Sequence, residues 1–288
     1  MKQIWLLPVI LSLTSLLPSG AYGIVYIDEA FETLGVPSNP AQINAVQVTN
    51  AAGSPIGTGN AAHFTDVISG SGGGGDLEYN VGGSALGMMY IQFDLLNNAP
   101  DNTGTAANPI IFGVGPWSTT SGTSLGANAN RAFGVEFYQT GSSSTLKIRT
   151  NGTAPLSVTY DMSAVQTVKI WVNDNDSSTM SYTRPDNSTS ATLDANSFVV
   201  WINNTLVGSE TVTGIGMNTG AVAGNTTGDA TLGRLGFNTS TTTLADFWID
   251  NLYVADSAPV IPEPSAIALI ASGSLLILLQ SYRRRARV

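Results

Sequence analysis

Three short stretches place oxygen-bearing side chains at spacings that chemistry uses. In DLEYN, Asp76 and Glu78 occupy alternate positions, which in a strand puts both carboxyls on one face. Retaining cleavage of a glycosidic bond needs such a pair about 5 to 5.5 Å apart. Asn80 comes next in step, so no third acid completes the pattern. GTSLG, Gly122 to Gly126, has the Gly-x-Ser-x-Gly spacing of a nucleophile elbow. An elbow needs a strand before Ser124 and a helix after it, whereas Ser, Thr, Gly and Asn surround this one and His63 is the only histidine available as base. In NDNDSST, Asp174, Asp176 and Ser178 are spaced like the first ligands of a calcium loop, yet Thr179 stands where glycine is required and Pro185 where the bidentate acid belongs. That stretch reads as a solvated hairpin turn, and His63 in AAHFTDV reads as a half-buried strand residue. One histidine and no cysteine exclude a conventional structural zinc site. Gly72 to Gly75 lacks the Lys-Ser/Thr that would complete a phosphate-binding loop, and reads as a flexible surface loop.

The elements that must position these residues are strands. Phe133, Val135 and Phe137 fall on one face, Leu146 and Ile148 oppose Lys147 and Arg149, and Val168, Ile170 and Val172 oppose Lys169. A two-residue period belongs to sheets with one buried face. Further strands are expected at 25–31, 45–49, 61–67, 77–81, 88–96, 110–114, 156–160, 179–183, 197–202, 205–210, 231–237 and 247–254, separated by Gly, Asn, Pro and Ser clusters. Asn203-Asn204 between FVVWI and TLV is expected to turn a hairpin, because Asn tolerates the positive φ of a two-residue turn. About fifteen strands with no βαβ rhythm imply an all-β fold in which two antiparallel sheets pack face to face as a jelly-roll sandwich. Trp171, Trp201 and Trp248 lie in strands and are expected to pack in the core, whereas Trp117 sits in the polar loop GVGPWSTT.

The chain divides into residues 1–23, 24–258 and 259–288. The central segment holds 19 acidic and six basic residues, a surface that repels phosphate backbones, so nucleic acid is not an expected partner. Without cysteine no disulfide staples it, and about 235 residues can bury a full-sized core without one. The first segment has Lys2, an apolar run from Ile4 to Leu17 and Ala21-Tyr22-Gly23. Small residues at Ala21 and Gly23 suit signal peptidase, so cleavage is expected after Gly23; an uncleaved anchor is the alternative. The last segment has Pro262-Glu263-Pro264, an apolar run of 14 residues from Ala266 to Leu279, and Arg283, Arg284, Arg285 and Arg287. As a helix that run measures about 21 Å, against a hydrocarbon core of about 30 Å. The arginines place its end on the cytoplasmic side.

The tail resembles the PEP-CTERM sorting signal of Gram-negative bacteria. The resemblance covers about 30 residues and rests on three features in order at the C-terminus together with an N-terminal signal. It implies that an exosortase removes the tail from an inner-membrane intermediate, so that the protein passes to the cell surface or extracellular matrix. The proline pair keeps Glu263 in extended backbone that joins neither helix nor sheet. An unprocessed tail anchor is the alternative.

The stretch from residue 130 to 255, with its Asn-turned hairpin, LGRLGF and FWIDNLYV, resembles the second half of a concanavalin A-like sandwich. A galactose-binding-like jelly roll is the alternative. Sandwich-type carbohydrate-binding modules carry Phe-Glu on the first strand and Ile-Asp-Asp/Asn on the last, meeting at a structural Ca2+. Phe31-Glu32 and Ile249-Asp250-Asn251 match that pattern, which implies calcium ligation by Glu32 and Asp250. Trp117 is the residue expected to contact a glycan. The sequence thus points to an exported, noncatalytic structural or glycan-binding protein, with extracellular polysaccharide as a partner. The alternative is a surface glycoside hydrolase of the laminarinase-like class, although its Glu-x-Asp-x-x-Glu pattern is absent.

Overall fold

The computed structural model describes residues 24–35, 37, 42–43, 48–57, 59–66, 76–81, 87–98, 107–116, 124–127, 130–140, 143–149, 156–161, 164–207, 212–217, 232–239 and 245–258. Ile24–Ser257 form one compact unit. The expected leader, the sorting tail and Trp117 lie outside the described residues. Among the described residues, no helix is long and apolar enough to cross a membrane.

The described chain is all-β. Its strands are β1 (Val25–Glu29), β2 (Gln42–Ile43), β3 (Val48–Ala51), β4 (Ala61–Asp66), β5 (Asp76–Asn80), β6 (Met88–Asn97), β7 (Ala107–Gly115), β8 (Phe133–Thr140) and β9 (Ser143–Arg149). They continue with β10 (Leu156–Thr159), β11 (Gln166–Asn173), β12 (Met180–Thr183), β13 (Ser190–Leu193), β14 (Ser197–Ile202), β15 (Thr205–Val207), β16 (Ile215–Gly216), β17 (Arg234–Asn238) and β18 (Ala245–Ala255). One sheet runs β15-β14-β11-β6-β18-β4-β3, with β1 added on β18 and β16 on β14; a second runs β10-β9-β8-β7-β17-β5-β2. All these pairings are antiparallel.

The two sheets bury their facing sides against each other. Phe93 of the first sheet meets Phe112 and Phe237 of the second at centroid distances of 5.0 and 4.9 Å. Phe133 of the second stacks on Phe198 of the first at 4.0 Å. The alternating residues Val168, Ile170 and Val172, and Phe133, Val135 and Phe137, all enter this core, as a two-residue period requires. The hairpin forms where expected: Ile202 pairs with Thr205, and Asn203 takes a φ of 54°.

The alternation that buries those valines points the tryptophans the other way, which corrects the expectation that they pack in the main core. Trp171 and Trp201 project from the outer side of the first sheet. There the separate hairpin β12–β13 meets them: Tyr182 packs on Trp171 at 5.1 Å and the Arg184 guanidinium lies 5.7 Å from the Trp201 ring. Trp248 belongs to a small second cluster with Ile56 and Ala61. NDNDSST is likewise not a hairpin turn, because β11 pairs with β6 and β14 while β12 pairs with β13. It carries the chain off the first sheet, and Asp174 is buried rather than solvated.

Candidate functional site at the bulge of the last strand

The last strand changes partner halfway along. Its first half, Ala245 to Ile249, pairs with β4, and its second half, Leu252 to Ala255, pairs with β1. Both halves pair with β6 on the other side, with the register slipping between Asp250 and Tyr253. Asn251 absorbs the slip with a φ of 53°, a conformation that Asn tolerates better than other non-glycine residues. At this bulge the end of β1 and the start of β4 come together, and the expected pair Glu32 and Asp250 comes with them.

Each side chain is held by local hydrogen bonds. Asp250 Oδ1 accepts the Asn251 N–H at 2.8 Å. Asn251 Nδ2 donates to Asp94 Oδ2 at 2.8 Å, and Thr167 Oγ1 donates to Asp94 Oδ1 at 2.6 Å. Across the gap, Phe31 is fully buried with a φ of 56°, and its N–H donates to Glu29 Oε1 at 2.8 Å. A bulky residue in that region stores strain that only its surroundings can hold; here burial of the ring turns the chain so that Glu32 reaches the loop before β4. The Asn60 N–H donates to Glu32 Oε2 at 3.2 Å, and Asn60 Nδ2 donates to the Glu32 carbonyl at 2.6 Å. Gly59 leaves the room: a Cβ there would stand 2.0 Å from Glu32 Oε1. At Gly57, with a φ of 64°, a Cβ would stand 3.6 Å from Asp250 Oδ2. One loop therefore touches both carboxylates.

The electrostatics agree with that geometry. Asp250 is 5% exposed. Burial, with the negative charges of Asp94 and Glu32 added, pushes its carboxyl up to about 6, against the pull of the Asn251 N–H. No ion pair among the described residues involves Glu32, Asp94 or Asp250. The fit to calcium is thus chemical: hard oxygen donors, excess negative charge and no cationic side chain to satisfy it. Among the described residues no three acidic or histidine side chains converge on one ion position. Asp94 is engaged by Thr167 and Asn251, which leaves Glu32 and Asp250 as the side chains that could hold an ion, with backbone oxygens and water needed to complete a shell.

Two of the other stretches with chemical spacing, DLEYN and GTSLG, meet on the outer side of the second sheet. Glu78 is fully buried, its Oε2 3.0 Å from Arg234 Nη1 and its Oε1 accepting the Leu125 N–H at 2.8 Å. Burial outweighs both partners and pushes the Glu78 carboxyl above the usual range. Ser124 Oγ donates to Asn238 Oδ1 at 2.5 Å and lies 3.5 Å from Asp76 Oδ1. Arg131 and Glu136 form a second buried pair at 3.0 Å, with the guanidinium lying over Gly134. Sequence reasoning found Asp76, Glu78 and Ser124 separately and missed that β17 brings Arg234 and Asn238 to them. The available signal was Arg234, Gly236 and Asn238 at the same two-residue period. His63 is half-buried, as expected; its Nε2 is 2.8 Å from Asp246 Oδ1 and its ring stacks on Trp248 at 3.9 Å. It stands on the first sheet, whereas Ser124 packs against the outer side of the second, so the two do not form a nucleophile–base pair.

No protein-family model matches the sequence, and no curated protein matches it. Solved structures do resemble the chain. The cellulose-induced protein Cip1 is 12% identical, with 80% of this chain and 97% of that one aligned at a TM-score of 0.45. Lectin II from Ulex europaeus is 13% identical, covering 80% and 97% at 0.44. Alginate lyase vAL-1 from Chlorella virus is 9% identical, covering 75% and 91% at 0.41.

Proposed function

We infer that this chain is exported by a leader cleaved after Gly23 and sorted by its Pro262-Glu263-Pro264 tail through an exosortase. It then serves at the cell surface or in the extracellular matrix of a Gram-negative bacterium as a noncatalytic structural or glycan-binding protein. In this reading the body is a concanavalin A-like jelly roll and Trp117 contacts the glycan. The tail and leader carry the delivery half of the proposal. The observation that carries the noncatalytic half is the engagement of Glu78. Asp76 and Glu78 share a face as a glycosidase pair would, but Glu78 is fully buried, ion-paired with Arg234 and hydrogen-bonded to the Leu125 amide. A proton donor for a glycosidic oxygen must reach its substrate.

Glu32 and Asp250 would hold a structural Ca2+ at the bulge. The ion would neutralise two carboxylates that otherwise repel and would tie the end of β1 to β18. The test uses the protein as recovered from producing cells, incubated with β-glucans and with the cells' own polymer. Retention on polymer without release of reducing sugar is expected, weakened in Trp117→Ala. Released reducing sugar would establish the glycoside hydrolase reading instead.

A further inference from the structure

The first and last described strands, β1 and β18, lie side by side. Val25 faces Ala255, and one step further out the Asp256 N–H donates to the Ile24 carbonyl at 3.0 Å. That bond makes Ile24 and Asp256 direct antiparallel partners, whose Cα atoms sit about 5.5 Å apart in such a pair. The backbone nitrogen of Ile24 therefore stands beside Asp256.

Asp256 is an anion short of a partner. Its Oδ1 is closed off from water and accepts no hydrogen bond, an arrangement that costs free energy when the group is charged. No ion pair among the described residues involves it. Tyr26 on β1 and Tyr253 on β18 lie within electrostatic reach of it, and Tyr253 in turn neighbours Asp28 on β1 and Tyr90 on β6, whose ring is 6.2 Å from its own. None of these is a cation. Burial raises the phenols of Tyr26 and Tyr253, and the charge of Asp256 raises both further, with Asp28 adding to Tyr253. With 19 acids against six bases in residues 24–258, the chain has few cations to send there.

We propose that leader removal supplies the cation, as an ion pair between the new α-ammonium of Ile24 and the carboxylate of Asp256. Water adds across the Gly23–Ile24 amide; the leader departs with a carboxylate on Gly23, and Ile24 keeps the nitrogen as an amine that takes up a proton. An ordinary α-amine titrates at about 7.7 to 8.0, so it is mostly charged at neutral pH. Before cleavage the same nitrogen is a neutral amide with one hydrogen to donate; afterwards it carries a full charge and three. Processing thus closes the open end of the β1–β18 pair, at the end of β1 opposite to Phe31 and Glu32. The proposal rests on the reading of residues 1–23 as a cleaved leader, and its test separates the two.

The protein recovered from producing cells is sequenced from its N-terminus, its amines are dimethylated with 13C-formaldehyde, and the methyl signals are followed by NMR against pH. Lys147 and Lys169 are the only other amines within residues 24–258, so the α-amine signal is separable. The pair is expected to raise the α-amine by about one pH unit, a tenfold shift in its proton affinity, relative to Asp256→Asn. An N-terminus other than Ile24 overturns the cleavage reading and the pair together. An Ile24 terminus that titrates in the ordinary range, or equally in wild type and Asp256→Asn, overturns the pair and leaves cleavage standing. Should Asp256→Asn fail to accumulate, the wild-type titration decides against the ordinary α-amine range.

Discussion

Asp250 and Asp94 face each other directly across the β18–β6 pair, two carboxylates in register with no cation between them. Burial, with the repulsion of Asp94 and Glu32 added, is why Asp250 holds its proton to about pH 6. That single displacement has a consequence for stability. An acid whose folded pKa is raised binds more protons folded than unfolded between its two pKa values. Stability is therefore fullest below the ordinary aspartate range, near pH 4, and is lost as pH rises through about 6. Melting temperatures measured from pH 4 to 7 in the presence of chelator are expected to fall across that window in wild type, and to fall less in Asp250→Asn, where only the raised carboxyl of Glu78 still contributes.

Calcium should reverse that fall, because a divalent cation favours the ionised form of its ligands. At pH 7, calcium is expected to raise the melting temperature of wild type and to leave Glu32→Gln and Asp250→Asn unmoved. A melting temperature that chelator does not change removes calcium from the account.

Gly59→Ala discriminates between a ligand site and a merely structural loop. The added methyl collides with the far end of a flexible glutamate, so the side chain swings away at a cost in stability below about 1 kcal/mol. The calcium response, in contrast, should be lost. Urea titrations with and without calcium measure both.

The buried Glu78–Arg234 pair makes a larger claim on stability. Arg234→Met leaves a fully buried carboxylate without its cation, which typically costs about 3 to 5 kcal/mol. Glu78→Gln in the Arg234→Met background removes the stranded charge and is expected to recover part of the loss. Denaturant unfolding of the two single variants and the double variant closes the cycle.

The sheets were legible in the sequence because their inward faces keep a strict period, as Val168, Ile170 and Val172 do. Short polar β13, Ser190–Leu193, was not, because its pairing with β12 and not its own composition makes it a strand. The outward tryptophans misled for a related reason: a residue buried by a covering hairpin carries the same apolar signature as one buried between sheets. The bulge, however, is written in the chain. In ADFWIDNLYVA the core residues are Ala245, Phe247, Ile249, Leu252 and Val254, so the period slips from two to three across Asp250-Asn251. That slip marks the bulge where Asp250 meets Glu32. The parts played by Asp94 and Asn251 come from strands joined across the sheet, and no local spacing announces them.

Delivery is the claim on which the functional reading stands, and the mass of the mature protein tests it most directly. Intact mass spectrometry of the protein recovered from the cell surface or medium is expected to give a chain beginning at Ile24 and lacking Arg283, Arg284 and Arg285. A stable species that still ends at Val288 would contradict it.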